Sequence, residues 1–241
     1  MDIKPYKKDH EYSYALGAFP TVELLKTRPE TVKQVILHST FTDAENIKNL
    51  SAPHGIEVIV NDKLIQKLSD KENCFCIGVF SKYESKLDKN RPHICLVNPG
   101  NMGNLGTIIR TAIGFGIKDM AIVSPGADVF NPKTVRASMG AVFRMNIRYY
   151  DHFEDYEKDF PEHEIFCFML NANNTLEVGK TEHSPLYTLV FGNEATGLPD
   201  SFLTKGKSII IPQSDEVDSL NITIAAGVGM YAFSGITNPK K

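Results

Sequence analysis

Glycines, asparagines and one arginine are concentrated between residues 98 and 110, in the stretch NPGNMGNLGTIIR. It follows the apolar run HICLV and leads into apolar residues at helical spacing. A glycine-rich turn between a strand and a helix usually holds a phosphate or a nucleotide. The spacing of Gly100, Gly103 and Gly106 fits neither a dinucleotide fold nor a P-loop. We therefore expect another phosphate-bearing ligand, onto which Arg110 could fork.

Two further polar loops follow apolar runs. In the first, GNEATGLP, Glu194 lies among glycines, where it could accept amide hydrogen bonds and orient an arginine, or else cap a helix at 199–203. In the second, PQSDEVDSLN, Ser219 is expected to cap the helix that follows. Asn221 is harder to explain by packing, because a buried amide needs hydrogen-bond partners.

The elements around these loops alternate between strands and helices. Strands are predicted at 33–39, 56–60, 74–80, 93–97, 119–123, 164–170, 187–192 and 207–212. Helices are predicted at 21–27, 42–55, 61–70, 104–115 and 131–140, and from 219 onward. Apolar strands without alternation indicate an α/β fold with a largely parallel sheet covered by helices. Ligands of such sheets bind in loops at the carboxyl ends of strands, where all three polar loops fall.

The composition is that of an ordinary globular protein, and one polar run indicates a division into two domains. The polar run SKYESKLDKNRP is the best linker, which places a boundary near residue 88 and gives domains 1–88 and 89–241. The net charge of −3 does not by itself indicate a nucleic-acid-binding protein. Basic residues nevertheless concentrate between 110 and 148 (Arg110, Lys118, Lys133, Arg136, Arg144 and Arg148). The acidic run at 151–164 is expected to be an exposed helix or loop.

The cysteines and apolar runs bear on metal and compartment. Cys74, Cys76, Cys95 and Cys167 lie in predicted strands without zinc spacing, so we expect reduced core thiols and no metal. The longest near-apolar run, 222–233, is too short and too glycine-broken to span a bilayer. The first twelve residues lack the apolar core of a signal peptide, so a cytoplasmic location is expected.

Taken together, the three loops resemble the three signature motifs of the SpoU (TrmH-type) branch of the SPOUT RNA methyltransferases. NPGNMGNLGTIIRTA is similar to motif 1, FGNEATGL to motif 2 and IPQSDEVDSLNITIAAG to motif 3, in the family's order and spacing. The intervening NPKTVRASMGAVFR is also family-like, and the resemblance covers roughly residues 91–235. Residues 10–85 are similar in pattern to the small ribosomal-protein-like RNA-binding domain that precedes many SpoU catalytic domains.

The resemblance implies an enzyme that uses S-adenosylmethionine to methylate a ribose 2'-hydroxyl in RNA, with ribosomal RNA favoured over transfer RNA. It also implies a deep trefoil knot in the catalytic domain and a homodimer. By position, the cofactor-binding residues would be Gly192, Ile211 and Leu220. The catalytic positions would be Asn104, Arg110, Glu194, Ser219 and Asn221. Ala195 and Gln213 depart from the family pattern, where glycine and methionine are common.

The chemistry constrains these roles. Methyl transfer to a ribose hydroxyl requires that the hydroxyl be aligned with the methyl group and lose a proton. The family assigns the base to the position of Arg110, but arginine stays protonated in proteins. We therefore expect Arg110 to anchor a substrate phosphate, positioned by Glu194 and Asn104. Ser219 and Asn221 would shape the pocket and bond to cofactor or substrate.

Two other functions stay open. A SPOUT relative could methylate a base nitrogen, which nucleoside analysis of the modified RNA would reveal. A non-catalytic RNA-binding assembly factor could keep the fold without turnover, and would bind the cofactor without methylating any RNA. Arg110 of motif 1 and the Ser219-Leu220-Asn221 of motif 3 argue against the first. Arg110, Glu194 and Asn221 argue against the second.

Overall fold

The structure is a computed structural model that describes residues 3–69, 73–177 and 181–234 of the 241-residue chain. The chain divides into two compact units. The mixed-sheet unit consists of Met1–Tyr83 and Asp128–Arg144, and the parallel-sheet unit consists of Glu84–Ala127 and Met145–Lys241. The sequence alone had given Asp128–Arg144 to the second domain.

The helices and strands follow in chain order. The strands are β1 Tyr12–Leu16, β2 Val32–Leu37, β3 Val58–Val60, β4 Cys76–Ser81, β5 His93–Val97, β6 Asp119–Val123, β7 Asn146–Tyr150, β8 Glu164–Phe168, β9 Asn174–Thr175, β10 Tyr187–Phe191 and β11 Lys207–Ile210. The α-helices are α1 Ala18–Thr27, α2 Ala44–Ser51, α3 Asp62–Leu68, α4 Met102–Gly114, α5 Pro132–Ala137, α6 Phe153–Asp159 and α7 Ile222–Phe233. Short 3-10 turns lie at Pro29–Thr31, Ala52–His54, Ala141–Arg144 and Asp200–Thr204.

The mixed-sheet unit has a four-stranded sheet in the order β1-β4-β2-β3. Strand β4 runs antiparallel to β1 and β2, and β2 runs parallel to β3. Successive side chains of β2 enter different apolar clusters, since Val35 packs with Leu25 and Ile47 whereas Ile36 packs with Tyr14. Both faces of the sheet are therefore covered, which explains why residues 35–37 of β2 and 76–80 of β4 are buried without alternation.

The parallel-sheet unit has a seven-stranded sheet in the order β7-β6-β5-β10-β8-β11-β9. Every pairing recorded between its described strands is parallel. Strands β5, β6 and β10 are buried along their whole length. This confirms the predicted α/β class with a largely parallel sheet. Because parallel strands end on the same edge, the loops after β5, β10 and β11 leave the sheet on one side.

Helix α7 covers this sheet and contacts both α4 and β10. Its buried residue Phe233 lies edge-on to Phe166, and Gly229 faces Phe168 and Phe191, which stack at 4.5 Å between ring centroids. The helix is thereby fixed beside the strands that lead to the polar loops.

Other predictions had mixed outcomes. Strands β1, β7 and β9 were not predicted; all three are outer strands of their sheets. Within the acidic run, α6 buries Phe153 and Tyr156 while Glu154 is exposed and paired with Lys205. All four cysteines are buried and free of disulfides. In the part of the chain that the structure describes, no helix has the length and apolar character needed to cross a membrane.

Candidate active site

The loop after β5 is shorter than its glycines suggested. Helix α4 begins at Met102, and Asn101 caps it by accepting hydrogen bonds from the amides of Gly103 (2.8 Å) and Asn104 (3.1 Å). Gly103 and Gly106 are therefore helical, and Gly106 is buried. This corrects the predicted helix start at 104 and leaves residues 98–101 as the loop itself.

Glu194 joins this loop to the loop after β10. Its Oε2 accepts a hydrogen bond from the Gly100 amide at 3.0 Å, and its Oε1 accepts from the Asn101 amide at 3.1 Å and from Asn104 Nδ2 at 3.2 Å. We call this arrangement the Glu194 clasp. The 3-10 turn at Asp200–Thr204 has no side-chain cap, so the alternative role of Glu194 as its capping residue is wrong.

The clasp favours an ionised carboxylate. Partial burial by itself would raise the pKa of Glu194, because it strips water from the charge. The hydrogen bonds from Gly100, Asn101 and Asn104, together with the residue's own amide, outweigh burial and hold the pKa below its ordinary value. At neutral pH the loop is therefore bound to a negative charge.

The loop that carries Glu194 is closed tightly on itself. Asn193 and Gly197 exchange backbone hydrogen bonds of 3.2 and 2.9 Å, and Asn193 Nδ2 donates to the Asn98 carbonyl at 2.7 Å. A Cβ on Gly192 would lie 2.1 Å from the Gly197 carbonyl carbon. Only glycine fits at 192, because the backbone of residue 197 approaches too closely to leave space for a side chain.

The third loop ends at a cap other than the predicted one. Asn221 is the N-cap of α7, and its Oδ1 accepts from the Thr223 amide at 2.8 Å and from the Thr223 hydroxyl at 2.7 Å. The prediction that Ser219 caps this helix is therefore wrong. Asn221 is also exposed, so its amide is explained by capping and not by burial.

A cavity of about 390 Å³ lies within the parallel-sheet unit, among these loops. Its lining contains five of the eight predicted site residues: Gly192, Glu194, Ile211, Ser219 and Leu220. The two departures from the family pattern, Ala195 and Gln213, line it as well. Asn104, Arg110 and Asn221 do not, although Asn104 is bonded to Glu194 and Asn221 lies between two lining residues.

The sequence interpretation missed part of the cavity wall. Residues Phe168 to Asn171, at the end of β8, line the cavity together with Asp200. Asn171 Nδ2 donates to Asp200 Oδ1 at 2.9 Å. The signal was available, because β8 was predicted as a strand of the parallel sheet and its carboxyl end had to reach the same edge.

Arg110 stands apart from the clasp. It lies six residues beyond Asn104 on α4, about 9 Å along the helix axis, and its side chain is exposed. Within the described ranges it has no hydrogen-bond or ion-pair partner. The structure thus brings Asn104 and Glu194 together but brings neither into contact with Arg110, whose guanidinium is available to a ligand.

The predicted basic segment does not form one unit. Lys133, Arg136 and Arg144 belong to the mixed-sheet unit, whereas Arg110, Lys118 and Arg148 belong to the parallel-sheet unit. Two of these charges are already paired, Arg144 with Glu23 at 2.6 Å and Arg148 with Asp159 at 2.9 Å. Among the residues that the structure describes, no cluster of histidine, cysteine and carboxylate side chains is suited to a metal ion.

The fold and the site define an α/β protein whose ligand cavity lies among loops at the carboxyl edge of a parallel sheet. The model of the SpoU rRNA Methylase family matches residues 91–231. The chain therefore belongs to the SpoU rRNA Methylase family.

Individual relatives agree with this. The chain is 34% identical over 131 residues to "Ribosomal RNA small subunit methyltransferase G 2" of Syntrophobacter fumaroxidans, covering 54% of this chain and 25% of the relative. It is 27% identical over 153 residues to "23S rRNA (guanosine(2553)-2'-O)-methyltransferase RlmP" of Bacillus subtilis, covering 63% of this chain and 61% of the relative. The chain thus matches less than two thirds of the length of these two proteins.

A solved structure extends the likeness along more of the chain. The crystal structure of an AdoMet-bound rRNA methyltransferase from Sinorhizobium meliloti is 25% identical and superposes with a TM-score of 0.77. The superposition covers 92% of this chain and 86% of the other.

Proposed function

We propose that this protein transfers a methyl group from S-adenosylmethionine to a ribose 2'-hydroxyl of RNA. The observation that carries the proposal is the Glu194 clasp, which ties the two loops together beside a cavity lined by Gly192, Ile211, Ser219 and Leu220. The family and the names of its relatives, which include 2'-O- and AdoMet-bound rRNA methyltransferases, support the same reaction.

The cavity residues suit the proposed cofactor. A volume of about 390 Å³ falls in the range of small-molecule pockets, and Leu198, Leu220 and Ile209 offer apolar walls for a flat adenine. Gly192, Ile211 and Leu220 would hold the cofactor, and Gly192 permits the close approach to the Gly197 backbone that shapes this part of the cavity wall. Carboxylates at the wall, Glu194 and Asp200, suit a ligand that carries positive charge. Once bound, the cofactor supplies a methyl group activated by a sulfonium centre.

We assign Arg110 to the substrate phosphate. Its guanidinium is exposed and unpaired among the described residues, and a planar fork of donors matches phosphate oxygens. An arginine that stays protonated can hold and orient the nucleotide, while the hydroxyl proton leaves to water or to the phosphate itself. Glu194 and Asn104 act on Arg110 indirectly, because they fix the start of the helix that carries it.

Ser219 and Asn221 complete the proposed site. Ser219 lines the cavity with an exposed hydroxyl that can bond to cofactor or substrate. Asn221 fixes the start of α7 through its cap and thereby sets the position of Leu220 beside the cavity.

The remaining features of the proposal concern assembly and substrate. We infer that the mixed-sheet unit, which holds most of the predicted domain 1–88 together with Asp128–Arg144, forms a ribosomal-protein-like RNA-binding domain. We infer that the parallel-sheet unit, the rest of the predicted domain 89–241, forms a catalytic domain with a deep trefoil knot. The superposition over 92% of this chain with a solved rRNA methyltransferase supports this organisation and favours ribosomal over transfer RNA. We further infer a homodimer, acting in the cytoplasm, where ribosomal RNA is matured.

A methyl-transfer assay tests the reaction. The protein is incubated with isotopically labelled S-adenosylmethionine and total RNA from a strain that lacks the gene, and the RNA is fractionated and digested to nucleosides. A labelled 2'-O-methylnucleoside in the ribosomal fraction is the expected result. A base-methylated nucleoside would instead show a different methyltransferase. No incorporation, with cofactor binding intact, would favour a non-catalytic assembly factor.

A further inference from the structure

The mixed-sheet unit contains a second cavity, formed by residues that the proposed reaction does not use. It is an open cleft of about 480 Å³. Its lining residues are Leu16, Gly17, Ala18, Phe19, Pro20, Ser69, Asn73, Cys74, Arg136 and Met139. It therefore joins the start of α1, the end of α3 and the end of α5 within one unit.

Arg136 gives this cleft a positive charge. It is exposed, it has no ion-pair partner among the described residues, and it is the one charged side chain in the lining just given. Lys133 lies three residues earlier on α5, so it occupies the same face of the helix, and it is likewise exposed and unpaired within the described ranges. Within the part of the chain that the structure describes, the cleft and its rim thus present two cations without an ion-pair partner.

Phe19 and Met139 add a flat apolar surface. Phe19 is 55% exposed and has no ring partner in the described part of the chain. Met139 is 37% exposed and holds a left-handed backbone (φ 51°), which is unfavourable for a large side chain. The next residue, Gly140, fixes this turn, because a Cβ there would lie 2.8 Å from the Glu23 Cβ. Strained residues of this kind concentrate at functional sites.

We propose that this cleft binds one unpaired nucleotide of the substrate RNA. The base stacks on Phe19 against Met139, Arg136 holds the adjoining phosphate, and Lys133 attracts the next phosphate along the strand. Aromatic stacking combined with arginine and lysine contacts to phosphate is the usual chemistry of single-stranded RNA recognition. That the ligand is RNA rests on the proposed function; the position of the site rests on the cleft and its charge.

Equilibrium binding of a defined probe tests the site without requiring turnover. Fluorescence anisotropy would follow the full chain binding a 5'-labelled single-stranded RNA dodecamer of mixed sequence, with the corresponding blunt duplex in parallel. We expect Phe19→Ala and Arg136→Ala each to weaken single-strand binding about tenfold, within the range measured for stacked bases. The matched controls are Phe75→Ala and Lys48→Ala, which change exposed residues of the same unit outside the cleft lining.

The salt dependence separates the two roles. Arg136→Ala should reduce the slope of log Kd against log salt by about 0.7, the value for one phosphate contact on a single strand. Phe19→Ala should leave the slope unchanged. A general loss of structure would not lower the slope in Arg136→Ala while leaving it unchanged in Phe19→Ala. Thermal unfolding of each variant gives an independent check that the fold is kept.

Three outcomes would overturn the proposal: no single-strand binding by the wild-type chain, equal weakening by the controls, or wild-type affinity in both cleft variants. Binding of duplex but not single strand counts against it in the same way. The methyl-transfer assay reports separately on the proposed reaction. If the cleft variants lose binding while the wild type methylates no RNA, the nucleotide site stands and the proposed reaction fails.

Discussion

Asn104 donates a hydrogen bond to Glu194 at 3.2 Å across ninety residues of sequence. The same carboxylate also receives the amides of Gly100 and Asn101, so one side chain holds both the loop after β5 and the first turn of α4. Arg110 lies on that helix, so the hydrogen bonds of Glu194 set its position relative to the cavity, although Arg110 itself takes no part in them. The Glu194 clasp therefore fixes the loop after β5 and the first turn of α4 relative to the loop that carries Glu194.

Arg110 should be needed for turnover but not for cofactor binding, since it does not line the cavity. We expect Arg110→Ala to lower methyl transfer by about 100-fold or more, as when a group that positions the substrate is removed. Affinity for S-adenosylmethionine, measured by calorimetric titration, should stay unchanged. Lys118→Ala, an exposed cation on the same unit, is the matched control. Undiminished turnover in the Arg110 variant would contradict its role.

Gly192 should tolerate no side chain. In Gly192→Ala the new methyl group meets the Gly197 backbone at 2.1 Å, so the loop must shift, at about 1–3 kcal/mol of unfolding free energy. Cofactor affinity should fall at least tenfold with it. Gly114→Ala is the control, because that glycine ends α4 with open space around it and should be neutral or slightly stabilising. Similar behaviour of both variants in denaturant unfolding would rule out the steric explanation.

Substitutions of Asn221 and Ser219 should differ in their effect on the free energy of unfolding and not only on activity. Removing the cap in Asn221→Ala should lower the free energy of unfolding by about 1 kcal/mol, and Asn221→Ser should recover much of it. Ser219→Ala should leave stability within about 0.5 kcal/mol of the wild type, because this exposed residue is not the cap. The reverse order in urea unfolding would show that the cap lies at 219 after all.

The clasp should make stability depend on pH in a defined direction. The pKa of Glu194 is held below its ordinary value, so the carboxylate stabilises the fold fully above the unfolded-state pKa of about 4.3. As the pH falls through the lower folded-state pKa, that contribution disappears. Wild type should therefore exceed Glu194→Gln by about 1 kcal/mol at pH 7, and the difference should close in acid. A difference that is constant from pH 7 to pH 3 would exclude a charged clasp.

His93, at the start of β5, should also make the stability of the fold depend on pH in the acid range. Burial lowers the pKa of His93 to about 4, although its ring nitrogens bond to the Tyr156 hydroxyl and the Asp88 carbonyl. Between the unfolded-state pKa of about 6.5 and that value, only the unfolded chain takes up the proton, so stability should fall as the pH is lowered through this window. His93→Asn should flatten the fall, which unfolding at several pH values would measure. An unchanged pH profile in the variant would exclude His93 as the source.

Much of the parallel-sheet unit was predictable because its physics is local. Buried parallel strands are apolar throughout, so β5, β6 and β10 were visible in the sequence, and the loops after them had to share an edge. Strand β7 was not, since it mixes exposed and buried residues at the sheet edge. Capping was predicted for the right helix but at the wrong residue, because Ser219 and Asn221 are both good caps and only the helix start decides between them.

The contacts that assemble the site could not be predicted from residue types. Nothing local says that Glu194 bonds to the amides of Gly100 and Asn101 and not to Arg110; that depends on how two distant loops approach. The wall at the end of β8 was within reach of the sequence, because β8 was predicted to end at this edge; only the hydrogen bond from Asn171 to Asp200 depends on how the loops approach. Likewise, a continuous stretch of family-like sequence at 128–144 gave no hint that its contacts lie with the first 83 residues.

That last feature limits how the protein can be taken apart. The chain leaves the parallel-sheet unit after Ala127 and re-enters it at Met145. The segment between them supplies Phe130 and Phe143, whose rings contact the ring of Phe80. A fragment cut at residue 83 would expose that aromatic cluster, and a catalytic fragment would carry an orphaned loop. The two halves of this chain are consequently not interchangeable modules: a chimera that swaps the amino-terminal half for another must replace Asp128–Arg144 with it.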